Sequence, residues 1–264
     1  VEKLQTRVIF LTSTLLITWL LVLPIAVSLP EPARAIIFSP ARAVLHHFEE
    51  EKLKFGKACN QSGEKCLAAF IYEGDFTADH IFTSDSDRFR SSLTTLSTLH
   101  PEVKTICFNS TGGDNDTAGN IAAIIKQDNF NTCVADFYIT NESEPTRFTA
   151  SCESACVFAL LAGKERISIG NHFILGMHSP RGVLDSPKDS KPSKTIIKRT
   201  GEPATSYMSS EIRKTVINSY KGKLAVADEL FIEILNETAR TPPSRMYFSS
   251  PNESFELGIF TNNL

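Results

Sequence analysis

The chain has 264 residues and a net charge of −3. With a pI near 6.1, it lacks the global basic footprint of a nucleic-acid binder, and nucleic acid is not expected among its partners. Its 42% hydrophobic content is ordinary for a packed core, and the length accommodates one large domain plus an anchor.

No charged residue occurs between Arg7 and Glu31. The segment VIFLTSTLLITWLLVLPIAVSL is long enough to cross a hydrocarbon core of about 30 Å as a helix. Residues 1–30 are therefore expected to be a transmembrane anchor. Lys3 and Arg7 favour a cytoplasmic N-terminus, while Arg34 and Arg42 weaken the charge asymmetry. A cleaved signal segment is the competing reading, because Ala26-Val27-Ser28 is a small-x-small site. Either reading sets the rest of the chain outside the cytoplasm.

Residues 31–58 read as a linker and a helix: Pro30, Pro32 and Pro40 give way to Val44, Leu45, Phe48 and Leu53 among charges, so a helix is expected over 41 to 57. A domain is expected over 59–264. Cys59 and Cys66 enclose a short polar loop, NQSGEK, and are the expected disulfide. The six cysteines show no zinc-ligand spacing, and an even number behind an export segment fits an oxidising compartment.

From Cys66 onward, short apolar runs alternate with helical ones. Strands are expected at 67 to 74, 103 to 110 and 132 to 139, with helices at 84 to 99 and 118 to 127. Strand, helix, strand, helix, strand with strands apolar on both faces predicts an α/β core around a parallel sheet. Residues 140 to 150 read as a loop and 155 to 163 as an apolar helix. One or two strands follow over 167 to 178, then an exposed loop over 181 to 203. Helices are expected at 204 to 218 and 225 to 239, then a short strand and a helix over 251 to 257.

Two stretches carry candidate chemistry. In CESACVFALLAG, Ser154 opens the apolar helix, so the N–H of Ala155 is an unpaired donor of a helix start. In FNSTGG, Gly113 ends a strand, where lack of a Cβ lets a carbonyl approach its N–H. His178 follows a strand and is a candidate acceptor of a serine proton. Taken singly, a serine there is more often an N-cap, a lone histidine a packed residue, and Asn-Ser-Thr-Gly-Gly an ordinary turn.

The order FNSTGG, SCESACVFALLAG, GMHSP, with His178 24 positions after Ser154, resembles the Clp protease proteolytic subunit (ClpP) and its relatives of the crotonase-like fold. The Cys-x-Ser-Ala-Cys setting, the Leu161 to Arg166 segment and the late TPPSRMYFSSPNESFELGIFT resemble the bacterial exported or membrane-anchored ClpP-like proteins most closely. The resemblance implies a spiral of βαβ units with a largely parallel sheet. It implies Ser154 as nucleophile, His178 as general base, and the N–H groups of Gly113 and Ala155 as the oxyanion hole. It further implies a serine peptidase acting on peptide or protein substrates without metal or organic cofactor, self-associating, and set in the periplasm on an inner-membrane anchor.

Two positions depart from the family. Thr111 stands where proline is usual, and Met246 falls where the aspartate that orients the histidine would be. Asp185 and Asp228 are the nearest replacements by sequence; a Ser-His dyad, or a catalytically silent binding or assembly module, are the other readings. Cys152 and Cys156 either pair with each other or clamp the helix to strands at Cys107 and Cys133.

Overall fold

A computed structural model describes residues 51–78, 84–140, 149–180, 194–197 and 203–264. The apolar segment 8–30 and the expected helix up to residue 50 lie outside them. Among the described residues no helix is long and apolar enough to cross a membrane.

The core is a seven-stranded sheet in the order β12-β7-β4-β3-β2-β1-β5. Its strands are β1 (Leu53–Cys59), β2 (Cys66–Glu73), β3 (Thr105–Asn109), β4 (Asn131–Ala135), β5 (Phe137–Ile139), β7 (Arg166–Ile169) and β12 (Asn262–Asn263). Strands β2, β3, β4, β7 and β12 run parallel, and β1 is antiparallel to both β2 and β5. Phe70, Ile71, Ile106, Phe108, Val134 and Ile169 are fully buried, as strands covered on both faces require. The chain is thus α/β with a largely parallel central sheet, as expected.

Helix α1 (Asp85–Leu99) is capped by Ser84, and α2 (Asn115–Gln127) by Asp114, whose carboxylate accepts the Thr117 N–H. α2 starts ahead of the apolar run that predicted it, because the cap sits directly after the Gly112-Gly113 turn. It packs against α1, against α3 (Ala155–Leu160) and against α4 (Ser210–Tyr220). Helix α5 (Asp228–Thr238) meets this layer through Phe231, whose ring lies edge-on to Phe158.

Four expectations are corrected. The helix expected over 41 to 57 is, in its described end, strand β1: seven residue pairs with β2 and the Cys59–Cys66 disulfide impose the extended form. The single strand expected over 132 to 139 breaks at Asp136. That buried carboxylate accepts the N–H groups of Gln61 and His172, turning β5 away to pair with β1. Part of the expected 181 to 203 loop is strand β9 (Lys194–Ile197), paired with β10 (Pro203–Ser206). The helix expected from 204 accordingly begins only at Ser210, behind the Ser209 cap.

Strands β11 (Tyr247–Phe248), β8 (Ile174–Met177) and β6 (Ser151–Glu153) form a second, three-stranded sheet. The tail returns through α6 (Pro251–Glu256) and is held by Arg166, whose buried guanidinium donates to the carbonyls of Ile259 and Gly258. Two further disulfides are present. Cys107–Cys133 joins register partners on β3 and β4, and Cys152–Cys156 spans Ser154.

Candidate active site

The chemistry-bearing stretches converge where the two sheets meet. Just past β3, Ser110 bridges to Cys152: its N–H donates to the Ser151 carbonyl at 2.8 Å, and its carbonyl accepts from the Glu153 N–H at 3.0 Å. The chain then turns through Gly112 and Gly113, with φ of 104° and 123°, values that L side chains rarely adopt. A Cβ on Gly112 would lie 2.7 Å from the Ser154 Cβ, and one on Gly113 would collide with the Phe76 carbonyl. Flanking groups are spoken for, since the Phe76 N–H donates to the Gly112 carbonyl and the Asp114 N–H to the Phe76 carbonyl. The N–H groups of Gly113 and Ala155 donate to nothing among the described residues.

Ser154 lies between the end of β6 and the first residue of α3 at φ 56°, ψ −121°. For a residue with a Cβ this conformation costs of order 1–3 kcal/mol. Such a strained strand-to-helix turn is the device that lifts a nucleophile clear of a sheet. The Ser154 side chain makes no capping hydrogen bond, so the N-cap reading of this serine does not hold. Its N–H donates to the Gly176 carbonyl at 2.8 Å.

That bond ties Ser154 to the strand leading to the histidine. β6 and β8 are parallel with Glu153 opposite Gly176, and His178 follows two residues later at the same end of the sheet. The His178 Nδ1 lies 2.8 Å from the Ser179 carbonyl oxygen. A carbonyl can only accept, so Nδ1 carries the proton and Nε2 of the neutral ring presents a lone pair. Ser179 is itself fixed, buried, with its N–H on the Thr241 carbonyl and its Oγ on the Ala239 carbonyl. Among the described residues, no hydrogen bond joins Ser154 and His178.

No protein-family model and no curated protein matches the chain. Among solved structures it is similar to a membrane-bound stomatin-specific protease, 1510-N, at 16% identity and a TM-score of 0.43, over 74% of this chain and 77% of that one.

Of the two acids proposed from sequence, the described residues include one. Asp185 lies outside the described residues. Asp228 opens α5, whose other end contacts Ser179; 11 residues of helix set Asp228 about 16 Å from that contact. Met246 directly precedes β11. β11 pairs antiparallel with β8, Tyr247 opposite Met177, and one more step of register brings Met246 opposite His178. Its side chain presses on Gly176, as does that of Glu153. Sequence reasoning missed three residues: Gly112, which Ser154 touches; Ser179, which holds the imidazole; and Glu153, a half-buried carboxylate beside the serine. Gly112 was legible as the first of a glycine pair. Nothing in the sequence marks the other two.

Proposed function

We propose that the chain is a serine hydrolase, a peptidase of ClpP-like type, working through an acyl-enzyme on Ser154. The observation that carries this reading is the Ser154 backbone: a strained strand-to-helix turn whose hydroxyl makes no capping bond, next to two N–H groups that have no acceptor among the described residues. In the proposed cycle, Nε2 of His178 takes the Ser154 proton as Oγ attacks a peptide carbonyl carbon. The developing oxyanion accepts from Gly113 and Ala155, an arrangement in which one such donor is worth about 10²–10³ in rate. The carbon–nitrogen bond breaks as His178 returns the proton to the departing amine, and water, deprotonated by the same nitrogen, releases the acid.

The Ser179 carbonyl takes the tautomer-setting part of the usual aspartate, without its charge. It cannot stabilise the imidazolium as a carboxylate would, so the proposed enzyme is slow; loss of that acid in a well-studied triad costs about 10⁴ in turnover. The N-terminal apolar segment and three disulfides support an anchored, extracytoplasmic setting in the periplasm, since disulfides persist in oxidising compartments. Self-association is proposed on the ClpP-like sequence resemblance alone.

The second reading is a silent binding module, favoured by Met246 opposite His178 and by the unformed Ser154–His178 hydrogen bond. Such bonds are often long before substrate arrives, which leaves the hydrolase reading ahead. Incubation with a fluorophosphonate decides: a covalent adduct that Ser154→Ala abolishes supports the hydrolase, and folded protein that takes up no label supports the module.

A further inference from the structure

The Cys152–Cys156 disulfide closes a ring of five residues, Cys-Glu-Ser-Ala-Cys, with Ser154 at its centre. It joins the middle of β6 to the second residue of α3, so the strand that leads into Ser154 and the helix that follows it are covalently held on either side of it. Both cysteines are fully buried. Cys152 also bridges to Ser110, which connects the same staple to the Gly112-Gly113 turn.

Global stability is a poor explanation for this bond. Disulfides constrain the unfolded chain more as the loop they close lengthens. The sequence separations here are 7, 26 and 4, so Cys152–Cys156 restrains the unfolded chain least of the three. Its position answers a different need. A non-glycine residue at φ 56° persists only where the surroundings over-determine it. Without the disulfide, the local restraints on the turn are the Ser154 N–H to Gly176 carbonyl bond, the Val157 N–H to Ser154 carbonyl bond and the approach of Gly112. Only the approach of Gly112 reaches both sides of the serine, meeting Glu153 and Ala155, and none of the three is a covalent link between β6 and α3.

Resting on the hydrolase reading, we propose that the Cys152–Cys156 disulfide is a positioning device for the nucleophile, and that a dithiol reductant disarms Ser154 without unfolding the domain. The dithiol passes two electrons and two protons to the bond, giving two buried cysteine thiols and one disulfide in the reductant. The turn then relaxes toward an ordinary backbone conformation, and Oγ moves away from the Gly113 and Ala155 donors. A displacement of about 1 Å is enough for a loss near 100-fold.

The test compares fluorophosphonate labelling of the oxidised full-length chain, of Cys152→Ala/Cys156→Ala, and of Cys59→Ala/Cys66→Ala as a control. The double substitution around Ser154 is expected to lower the saturating labelling rate about 100-fold, leave the half-saturating concentration within about twofold, and keep the far-UV spectrum. The control pair is expected to label as the native chain does. Wild-type labelling in Cys152→Ala/Cys156→Ala overturns the proposal while leaving the hydrolase reading intact. Absence of labelling in the oxidised native chain overturns both. Should the double variant not fold, a dithiol titration of the native chain decides. Labelling that falls in step with alkylation of Cys152 and Cys156, before the far-UV signal changes, supports the device. Labelling that survives alkylation of both overturns it.

Discussion

The carbonyl oxygen of Ser179 lies 2.8 Å from Nδ1 of His178, so the residue that follows the imidazole orients it. Ser179 has little freedom to withdraw, because Thr241 and Ala239 hold its N–H and its hydroxyl. A backbone acceptor sets a tautomer as well as a carboxylate does, yet brings no charge to meet an imidazolium.

His178 is therefore expected to hold its proton on Nδ1 in the neutral state. Nitrogen-15 NMR of the imidazole should report a protonated Nδ1 and an unprotonated Nε2. In Ser179→Ala, which loses the tie to Ala239, the two tautomers should mix, with Ser179→Thr restoring the native pattern. His178→Ala should slow fluorophosphonate labelling by about 10²–10⁴, the range of general-base catalysis.

Gly112→Ala should damage both stability and the site. The positive φ alone costs of order 1–3 kcal/mol, and the added methyl would lie 2.7 Å from the Ser154 Cβ. Urea unfolding should show the destabilisation, and whatever protein remains folded should label far more slowly than the native chain. Equal labelling would mean that the turn does not support the serine.

Met246→Asp should not restore a faster enzyme. The imidazole N–H is already committed to Ser179, and the new carboxylate would share its surroundings with Glu153 beside Gly176. Labelling rate is expected to stay level or fall, and the melting temperature to drop, since a half-buried like-charge pair is unfavourable. A rise of tenfold or more would show that Nδ1 is free to change partner.

Stability should decline on the alkaline side. Burial pushes the hydroxyls of Tyr72, Tyr138 and Tyr220 above the ordinary tyrosine range, helped by Asp85 at Tyr72 and by Asp114 and Asp116 at Tyr220. Folded protein then keeps protons that the unfolded chain releases above about pH 10, so the stabilisation is complete below that pH and is lost as pH rises past it. Each such tyrosine steepens the decline by about 1.4 kcal/mol per pH unit. Tyrosinate absorbance should show three of the five tyrosines ionising only together with loss of the far-UV signal.

The parts of the fold that were legible are those whose pattern is local. Apolar runs at Phe70 to Tyr72 and Ile106 to Phe108, and the spacing of Phe89 and Leu93, specify strand and helix with little help from elsewhere. β1 was misread because Val44, Leu45, Phe48 and Leu53 keep helical spacing, while the strand exists through its pairing with β2. The break at Asp136 carries no glycine or proline; it follows from N–H groups that residues 61 and 172 bring to one carboxylate. At the site, residue types and their order were readable, but the strain on Ser154 was not. The orienting group is a backbone atom whose position depends on residues 60 places downstream, and backbone atoms leave no trace in a sequence.

The proposed role of Ser154 as nucleophile is open to a direct test. The direct measurement is mass spectrometry of the oxidised full-length chain after fluorophosphonate treatment, with Ser154→Ala beside it. A single adduct located on Ser154 and missing from the variant is the predicted result. A folded native chain without an adduct, or a variant that retains one, would show that Ser154 is not the nucleophile.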